Sequence, residues 1–326
     1  MRRVAFIFTL LVVCIFFSGT ILTTAQAGTY PDRPINLIIP GTAGSIIDIT
    51  GRIIGEELGK ILGVKVVPMD KPGATFTLGT DFVARSKPDG YTLSYTNSGA
   101  LVNVRAVKPE IVPYDVDKDL EPLGLHLYLA NGIGVQASSP WKTFQDLADY
   151  AKKNPGKLTG STSGKYPSAF FLMKILESSA GINITQVPYK GGKAVIAALL
   201  GGHVDTAFDA GMKFTPHVKA DKLRVLLLTK KMNDFPDVPT PRDLGYNFDI
   251  PSPLFAFYAP AGVPEEVKQV LISAIKKAVN EPISKAKIEK MGFVVNYGTP
   301  EELNNVVADQ FKEMSAIMET VRAQTK

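Results

Sequence analysis

From Ile35 to Ile39 the chain is almost continuously apolar, the pattern of a buried strand, and Pro40-Gly41 ends it. Behind it Ile46, Ile49, Ile53, Ile54, Leu58 and Ile61 recur at helical spacing, which predicts a helix from Ser45 to Leu62. Val64 to Val67 reads as the next strand and Thr77 to Arg85 as a short helix. Pro88-Asp89-Gly90 is a turn into a strand from Tyr91 to Tyr95. The middle repeats the theme. Strands are expected at Gly132 to Gln136, Leu158 to Gly160, Ile184 to Val187, His203 to Phe208 and Leu223 to Leu228. Thr143 is placed to cap a helix running to Lys153, with Asp146 three residues on. Pro167 suits the first residue of a helix to Ser179, where its missing N–H costs nothing. Another helix is expected around Lys193 to Leu200. A strand at Phe255 to Ala259 opens the tail, followed by helices at Pro264 to Val279, Pro282 to Lys290 and Pro300 to about Arg322. Such alternation argues an α/β fold with mostly parallel sheets covered on both faces. No low-complexity linker interrupts it, so two domains would be joined by crossing strands, as in receptors that close about a hinge.

The first residues set the compartment. Arg2 and Arg3 give a basic start, Val4 to Phe17 is an almost unbroken apolar run, and Ala25-Gln26-Ala27 is a small-x-small cleavage site. This is the pattern of a secretory signal peptide over 1–27, with a mature chain starting near Gly28 in the periplasm or otherwise outside the cytoplasm. An uncleaved anchor is the competing reading, but the run is short for a span of about 20 residues. A lipid anchor would use Cys14, which follows Val13 with too little chain before it. Cys14 is the one cysteine, so cleavage leaves no disulfide, thiol nucleophile or cysteine metal ligand. A mature chain of about 300 residues buries a sufficient core without disulfides and is long enough for two domains. Losing Arg2 and Arg3 lowers the formal net charge from +5 to +3. The remaining Lys and Arg are scattered, with no stripe to follow a phosphate backbone, so nucleic acid is not an expected partner. No later stretch is apolar enough to span a membrane.

Three loops follow expected strands and enter helices: Pro40 to Ser45, Lys71 to Thr77, and Gly160 to Ser168. In open α/β sheets ligands bind beyond the carboxyl ends of strands. All three loops are small, hydroxylic and glycine-containing. Small residues admit a ligand to the backbone, and free N–H groups at a helix start favour an anion. Such loops also occur as ordinary strand–helix turns. Catalytic signatures are missing: the first loop is neither G-x-G-x-x-G nor a P-loop, and Gly160-Ser161-Thr162-Ser163-Gly164 puts Thr162 where a nucleophile elbow needs its nucleophile. His126, His203 and His217 have no metal-ligand spacing, so neither metal nor cofactor is expected. Asp205 and Asp209 at one strand end are read as capping or ligand-orienting groups before acid–base catalysts.

In chain order, Tyr30-Pro31-Asp32-Arg33-Pro34-Ile35, Pro40 to Asp48 with Arg52, Lys71-Pro72-Gly73-Ala74 with Gly79, and Pro88-Asp89-Gly90-Tyr91-Thr92-Leu93 form a series of motifs. Val187-Pro188-Tyr189-Lys190-Gly191-Gly192, then Leu199 to Asp205, Pro236 to Thr240, and Ala259-Pro260-Ala261-Gly262-Val263-Pro264 complete it. The series resembles the substrate-binding receptors of tripartite tricarboxylate transporters, the Bug family, over essentially the whole mature chain. The resemblance implies a type II periplasmic-binding fold, two α/β lobes around a cleft. The first lobe would take 28–130 plus 252–326 and the second 131–251, with crossings near Leu129 and Pro251. It implies a small organic acid as ligand and the permease subunits of a tripartite transporter as membrane partner; a monomer is the default.

The expected clamp for one carboxylate comprises the backbone of Gly41, Thr42, Ala43, Gly44 and Ser45 and of Ala74, Thr75, Phe76 and Thr77, with their hydroxyls. Ser161, Ser163, Tyr166 and Ser168 would hold the ligand's far end, Asp209 would orient a polar group, and Lys165 is the candidate for a second carboxylate. The chain departs from the family pattern. Gly41 stands where an aromatic is common, Ser45 where a second glycine is, Thr75-Phe76-Thr77 where Gly-Gly-Asn is, and Phe170 where a histidine is. The expected function is therefore capture of a small carboxylate and its delivery to a membrane transporter, not catalysis. A ligand-presenting partner of a sensor kinase, or an enzyme on the same scaffold, are the alternatives.

Overall fold

The computed structural model describes residues 30–246 and 251–325; the expected signal peptide lies outside them. The chain begins with β1 (Ile35–Ile39), α1 (Ile46–Leu62), β2 (Val66–Asp70), α2 (Thr77–Ala84), β3 (Thr92–Asn97) and β4 (Leu120–Tyr128). It continues through β5 (Asn131–Gln136), α3 (Phe144–Lys153), β6 (Leu158–Thr162), α4 (Ser168–Ala180), β7 (Ile184–Pro188), α5 (Gly192–Leu200), β8 (Thr206–Ala210) and β9 (Leu223–Leu228). It returns with β10 (Leu254–Pro260), α6 (Glu265–Val279), α7 (Pro282–Glu289), β11 (Val294–Gly298) and α8 (Pro300–Thr325).

Two sheets result, ordered β11-β4-β10-β3-β1-β2 and β7-β6-β8-β5-β9. Parallel pairing is confined to β1 with β2 and β3, and to β6 with β7 and β8. The sheets are mixed, which corrects the expectation of mostly parallel sheets. The reason is the crossing. The chain leaves the first sheet through β4 and comes back through β10, which therefore enters from the other end and runs antiparallel to both β3 and β4. In the second sheet β5 arrives from the crossing and pairs antiparallel with β8 and β9.

Local physics moves three boundaries. β2 starts at Val66 and runs to Asp70 because Ile35 to Ile39 of β1 take those five residues as partners, polar or not. β8 begins only at Thr206, since Asp205 meets Thr159 through its side chain: Oδ2 accepts from the Thr159 N–H at 2.8 Å. Pro167 is the residue before α4, with extended backbone, rather than its first helical one. Thr143 caps α3 as expected, in a complete capping box with Asp146.

Buried polar groups stitch the crossing. Leu129 N–H donates to the Pro253 carbonyl at 2.8 Å. Ser98 Oγ accepts from Leu254 N–H at 2.9 Å and lies 3.5 Å from Gln310 Oε1 on α8. Gln310 Nε2 donates to the Ser252 carbonyl at 3.1 Å, and Ser252 Oγ to Thr229 Oγ1 at 2.7 Å. Thr229 Oγ1 accepts from Asn131 N–H at 3.0 Å, and Asn131 Nδ2 donates to Ser168 Oγ at 3.1 Å. An apolar cluster follows the same path, joining Ile38 and Leu101 through Leu303 and Met314 of α8 to Phe171 and Leu176 of α4.

Two predictions follow from this packing. A Cβ on Gly79 of α2 would lie 2.7 Å from the Lys71 carbonyl oxygen and 2.8 Å from Pro40 Cβ. Gly79→Ala should push apart the starts of two of the expected ligand loops and cost about 1–3 kcal/mol in a denaturant titration. His126 is fully buried, with the Tyr95 hydroxyl 2.7 Å from Nδ1. Burial lowers its pKa from 6.5 to about 3, so the folded chain holds it neutral while the unfolded chain protonates it. Its contribution to stability should therefore fall by about 1.4 kcal/mol per pH unit as pH drops from about 6.5 toward 3. His126→Leu should flatten that part of the stability-versus-pH curve.

Candidate functional site

The parallel strands β1, β2 and β3 end on the same edge, and a cavity of about 540 Å³ lies over them. Gly41, Thr42 and Ser45 line it after β1, and Gly73, Ala74, Thr75 and Phe76 after β2. Asn97, Ser98, Gly99 and Asn103 follow β3, and Leu129, Pro253 and Phe255 come from the crossing. Ser168, at the start of α4, reaches it from the second sheet. Every lining residue is uncharged.

In the first loop, Asp48 Oδ2 accepts from the Gly44 N–H at 2.7 Å, and Asp48 pairs with Arg52, which also pairs with Asp70 at 2.9 Å. Burial and the neighbouring Asp48 push the Asp70 carboxyl above its usual range, against the pull of Arg52. A side chain at Gly41 would collide with Ile47 and lie 2.7 Å from Ser45 Oγ, so an aromatic has no room here. Ser45 precedes α1 without capping it, and its Oγ is buried with no partner. Ala43 and Gly44 are exposed and do not line the cavity.

The second loop explains its own departures. Gly73, Ala74, Thr75 and Phe76 take φ of 139°, 44°, 55° and 73°. Left-handed backbone costs a non-glycine residue roughly 1–2 kcal/mol, so a Gly-Gly pattern here answers a backbone demand, and this chain meets the demand with Thr and Phe instead. Thr77 Oγ1 donates to the Ala74 carbonyl at 2.8 Å and Thr80 Oγ1 to the Phe76 carbonyl at 3.0 Å, which hold the turn. Thr77 is buried behind the loop rather than facing the cavity. Phe76 fills the space beside Gly99, where a Cβ would meet its ring at 2.7 Å.

The second lobe contributes less than expected. Ser161 is fully buried, with its Oγ donating to the Thr206 carbonyl at 3.3 Å, so it serves the sheet. Ser163 is half-buried outside the lining. Tyr166 packs edge-on against Phe170, 5.2 Å between centroids, and Lys165 lies exposed over the Tyr166 ring. Gln186 Nε2 donates to Thr162 Oγ1 at 2.8 Å and to the Lys165 carbonyl at 2.9 Å, fixing this loop. Asp209 is 5% exposed and pairs with Lys213 at 2.7 Å. Of the residues expected on this side, the structure brings only Ser168 to the cavity wall.

Sequence reasoning missed the segment after β3. There Gly99–Asn103 forms one turn of π-helix that leads into a short helix and brings Asn103 to the cavity. Its Oδ1 is buried without a partner. The available signal was Asn97-Ser98-Gly99, a small polar loop at the end of an expected strand like the other three.

Three helix starts thus border one cavity: α1 at Ser45, α2 at Phe76 and α4 at Pro167-Ser168. None is capped by a side chain of the residue before it, whereas Thr143, Glu281 and Thr299 supply such bonds to other helices. Each uncapped start favours an anion by about 0.3–1 kcal/mol. Among the described residues no group of three or more His, Cys, Asp or Glu side chains gathers to hold a metal ion.

The family model described as the tripartite tricarboxylate transporter family receptor matches residues 50–322. The chain belongs to that receptor family. A Cupriavidus necator protein encoded in the gbd 5' region is 35% identical over 297 residues, covering 90% of this chain and 89% of that one. The Bordetella pertussis protein BugT is 29% identical over 324 residues, covering 97% and 98%. A solved TctC solute binding protein from Polaromonas superimposes with a TM-score of 0.82 at 23% identity, covering 90% of this chain and all of that one. R. palustris Rpa4515, solved with adipate, gives 0.70 at 24% identity, covering 89% and 98%. The chain shares the two-lobed architecture of these receptors.

The left-handed stretch supplies a test. Thr75→Gly removes a strained side chain at an exposed position, against the roughly 0.5–1 kcal/mol that glycine loses to chain entropy. Thr75→Gly should be neutral to stabilising, by up to about 1 kcal/mol in a denaturant titration; a clear loss of stability would show that Thr75 is not strained.

Proposed function

We propose that this receptor works outside the cytoplasm, captures a small carboxylate between its lobes and delivers it to a tripartite tricarboxylate-type membrane transporter. The lobes are taken as 28–130 with 252–326, and 131–251. The observation that carries the reading is the cavity itself, where three uncapped helix starts and the unpartnered Ser45 hydroxyl meet in a wall without charged side chains. Such a wall holds an anion by amides and hydroxyls. Adipate in Rpa4515 agrees with a carboxylate ligand. Ser168 and the crossing strands would couple occupancy to lobe closure, because a ligand touching both lobes stabilises the state in which both touch it. The amino-terminal pattern of 1–27 supports export. Among the described residues no helix is long and apolar enough to cross a membrane.

Thermal unfolding of residues 28–326 should rise in midpoint with at least one class of carboxylic acid and not with the matching amides. Saturation a hundredfold above the dissociation constant adds about 2.7 kcal/mol. Ser45→Ala should reduce the shift while leaving the ligand-free midpoint within a few degrees. A folded protein that shifts with no acid would count against the carboxylate reading.

A further inference from the structure

The strand β3 brings one more side chain to the cavity. Leu93 and Tyr95 pack in one cluster with Ile54 and Leu58 of α1, and a Cβ on Gly51 would lie 2.9 Å from the Tyr95 ring. Strand alternation puts Asn97 on that same face, one step nearer the edge at which α1 starts. The parallel register of β1 with β3 sets Ile38 opposite Ser94, and continued to the strand ends it carries Asn97 toward Gly41. On its other side Asn97 pairs with Phe255 of β10, and both residues line the cavity. The Asn97 amide oxygen accepts from the Gly99 N–H at 2.8 Å, and a Cβ on Gly99 would lie 2.7 Å from that oxygen. A backbone N–H can only donate, so Oδ1 is the atom at Gly99 and the NH2 group is turned the other way. Asn97 is 8% exposed. Among the described residues nothing accepts from Nδ2, and Nδ2 is not one of the unpartnered atoms sealed from solvent. The small exposed part of Asn97 therefore includes its NH2 group, at the cavity.

We infer that Asn97 binds the ligand directly, its Nδ2 donating to the carboxylate received at the start of α1. The inference rests on the carboxylate reading above and adds to it a side-chain donor from the third strand end. The local task of Asn97, holding the Gly99 N–H at the entry to the π-turn, needs only an acceptor. Serine or aspartate performs that task at the same spacing. The NH2 group is the part that the turn does not use. Nearly buried and pinned through its oxygen, it has little rotational freedom to lose on binding, and a donor facing an ionised acceptor makes the stronger class of hydrogen bond. A donor fixed in this direction disfavours a ligand that presents a cation or another donor there. It thus selects the same sign of charge as the neighbouring helix starts.

Calorimetric titration of residues 28–326 with hexanoate, adipate, benzoate and citrate tests this. Asn97→Ser keeps an acceptor for the Gly99 N–H and removes the NH2 group. It should weaken every acid that binds by at least about tenfold. Asn97→Asp keeps the shape and the acceptor but sets a carboxylate against the ligand, and should weaken binding by at least about a hundredfold near pH 7. A smaller loss in either variant overturns the inference and leaves the carboxylate reading standing. Silence of the unaltered protein toward all four acids overturns both. A second readout separates contact from a shifted turn and needs no variant. The Asn97 side-chain NH2 resonances, assigned through the backbone amide of the same residue, should move on saturation with the tightest-binding acid, and their protons should exchange with water more slowly. Resonances left in place by a saturating acid overturn the inference even where the variants bind weakly, because Asn97 then acts only through the Gly99 turn.

Discussion

The cavity depends on one side chain that does not line it. Arg52 joins Asp48, which pins the Gly44 amide in the first loop, to Asp70, the last residue of β2 before the second loop. Two carboxylates this close would drive those loops apart without a cation between them; burial and then the neighbouring Asp48 already push the Asp70 carboxyl up. Arg52 is nearly half exposed while Asp48 is buried. Screened ion pairs of this kind contribute little net stability, so the value of the arrangement is geometric: a planar guanidinium with fixed donors sets the spacing of the two loops. Gly79 completes it from below, letting Lys71 and Pro40 approach α2 more closely than any side chain would allow.

With the loops fixed, the charge balance of the site comes from the backbone. Away from the cavity some helices carry their own caps, as Thr143 with Asp146 and Thr299 with Glu302 do, while α5 after Gly191 and α6 after Pro264 do not. Around the cavity the residue before each helix is Ser45 with an idle hydroxyl, Phe76 in left-handed backbone, or Pro167. At the cavity these starts leave backbone donors without a side-chain cap. A positive helix end without a fixed cation attracts an anion only weakly.

Most of the architecture was legible because periodicity and punctuation agreed. Ile35 to Ile39 is apolar but for Asn36 and lies between β3 and β2, and the Ile and Leu spacing of α1 ends at Gly63 in left-handed backbone. β4 was not legible. Pro122 and Gly124 interrupt its alternation, and the structure accommodates them with register shifts against β10. That the loops after β1 and β2 meet at one cavity was legible from small residues at strand ends, yet the direction of each side chain was not. Ser161 has the same composition as a ligand-binding serine and is turned into the sheet, while Asn103 owes its place at the cavity to a π-turn that no spacing announces.

The two walls of the cavity are not independent. Ser98 on one side and Ser168 on the other both line it, and the bonds through Gln310, Ser252, Thr229 and Asn131 connect them through the crossing strands. All four intermediates are buried, so breaking one link leaves a polar group without water as a substitute, and such groups keep their partners or move together. Through these bonds Ser168 is linked to Gln310 and to the long carboxyl-terminal helix that carries it. That helix already packs on both lobes through one apolar cluster. Any change in how the two sheets sit against each other would have to work against both, since the polar chain and the apolar cluster run side by side at the crossing.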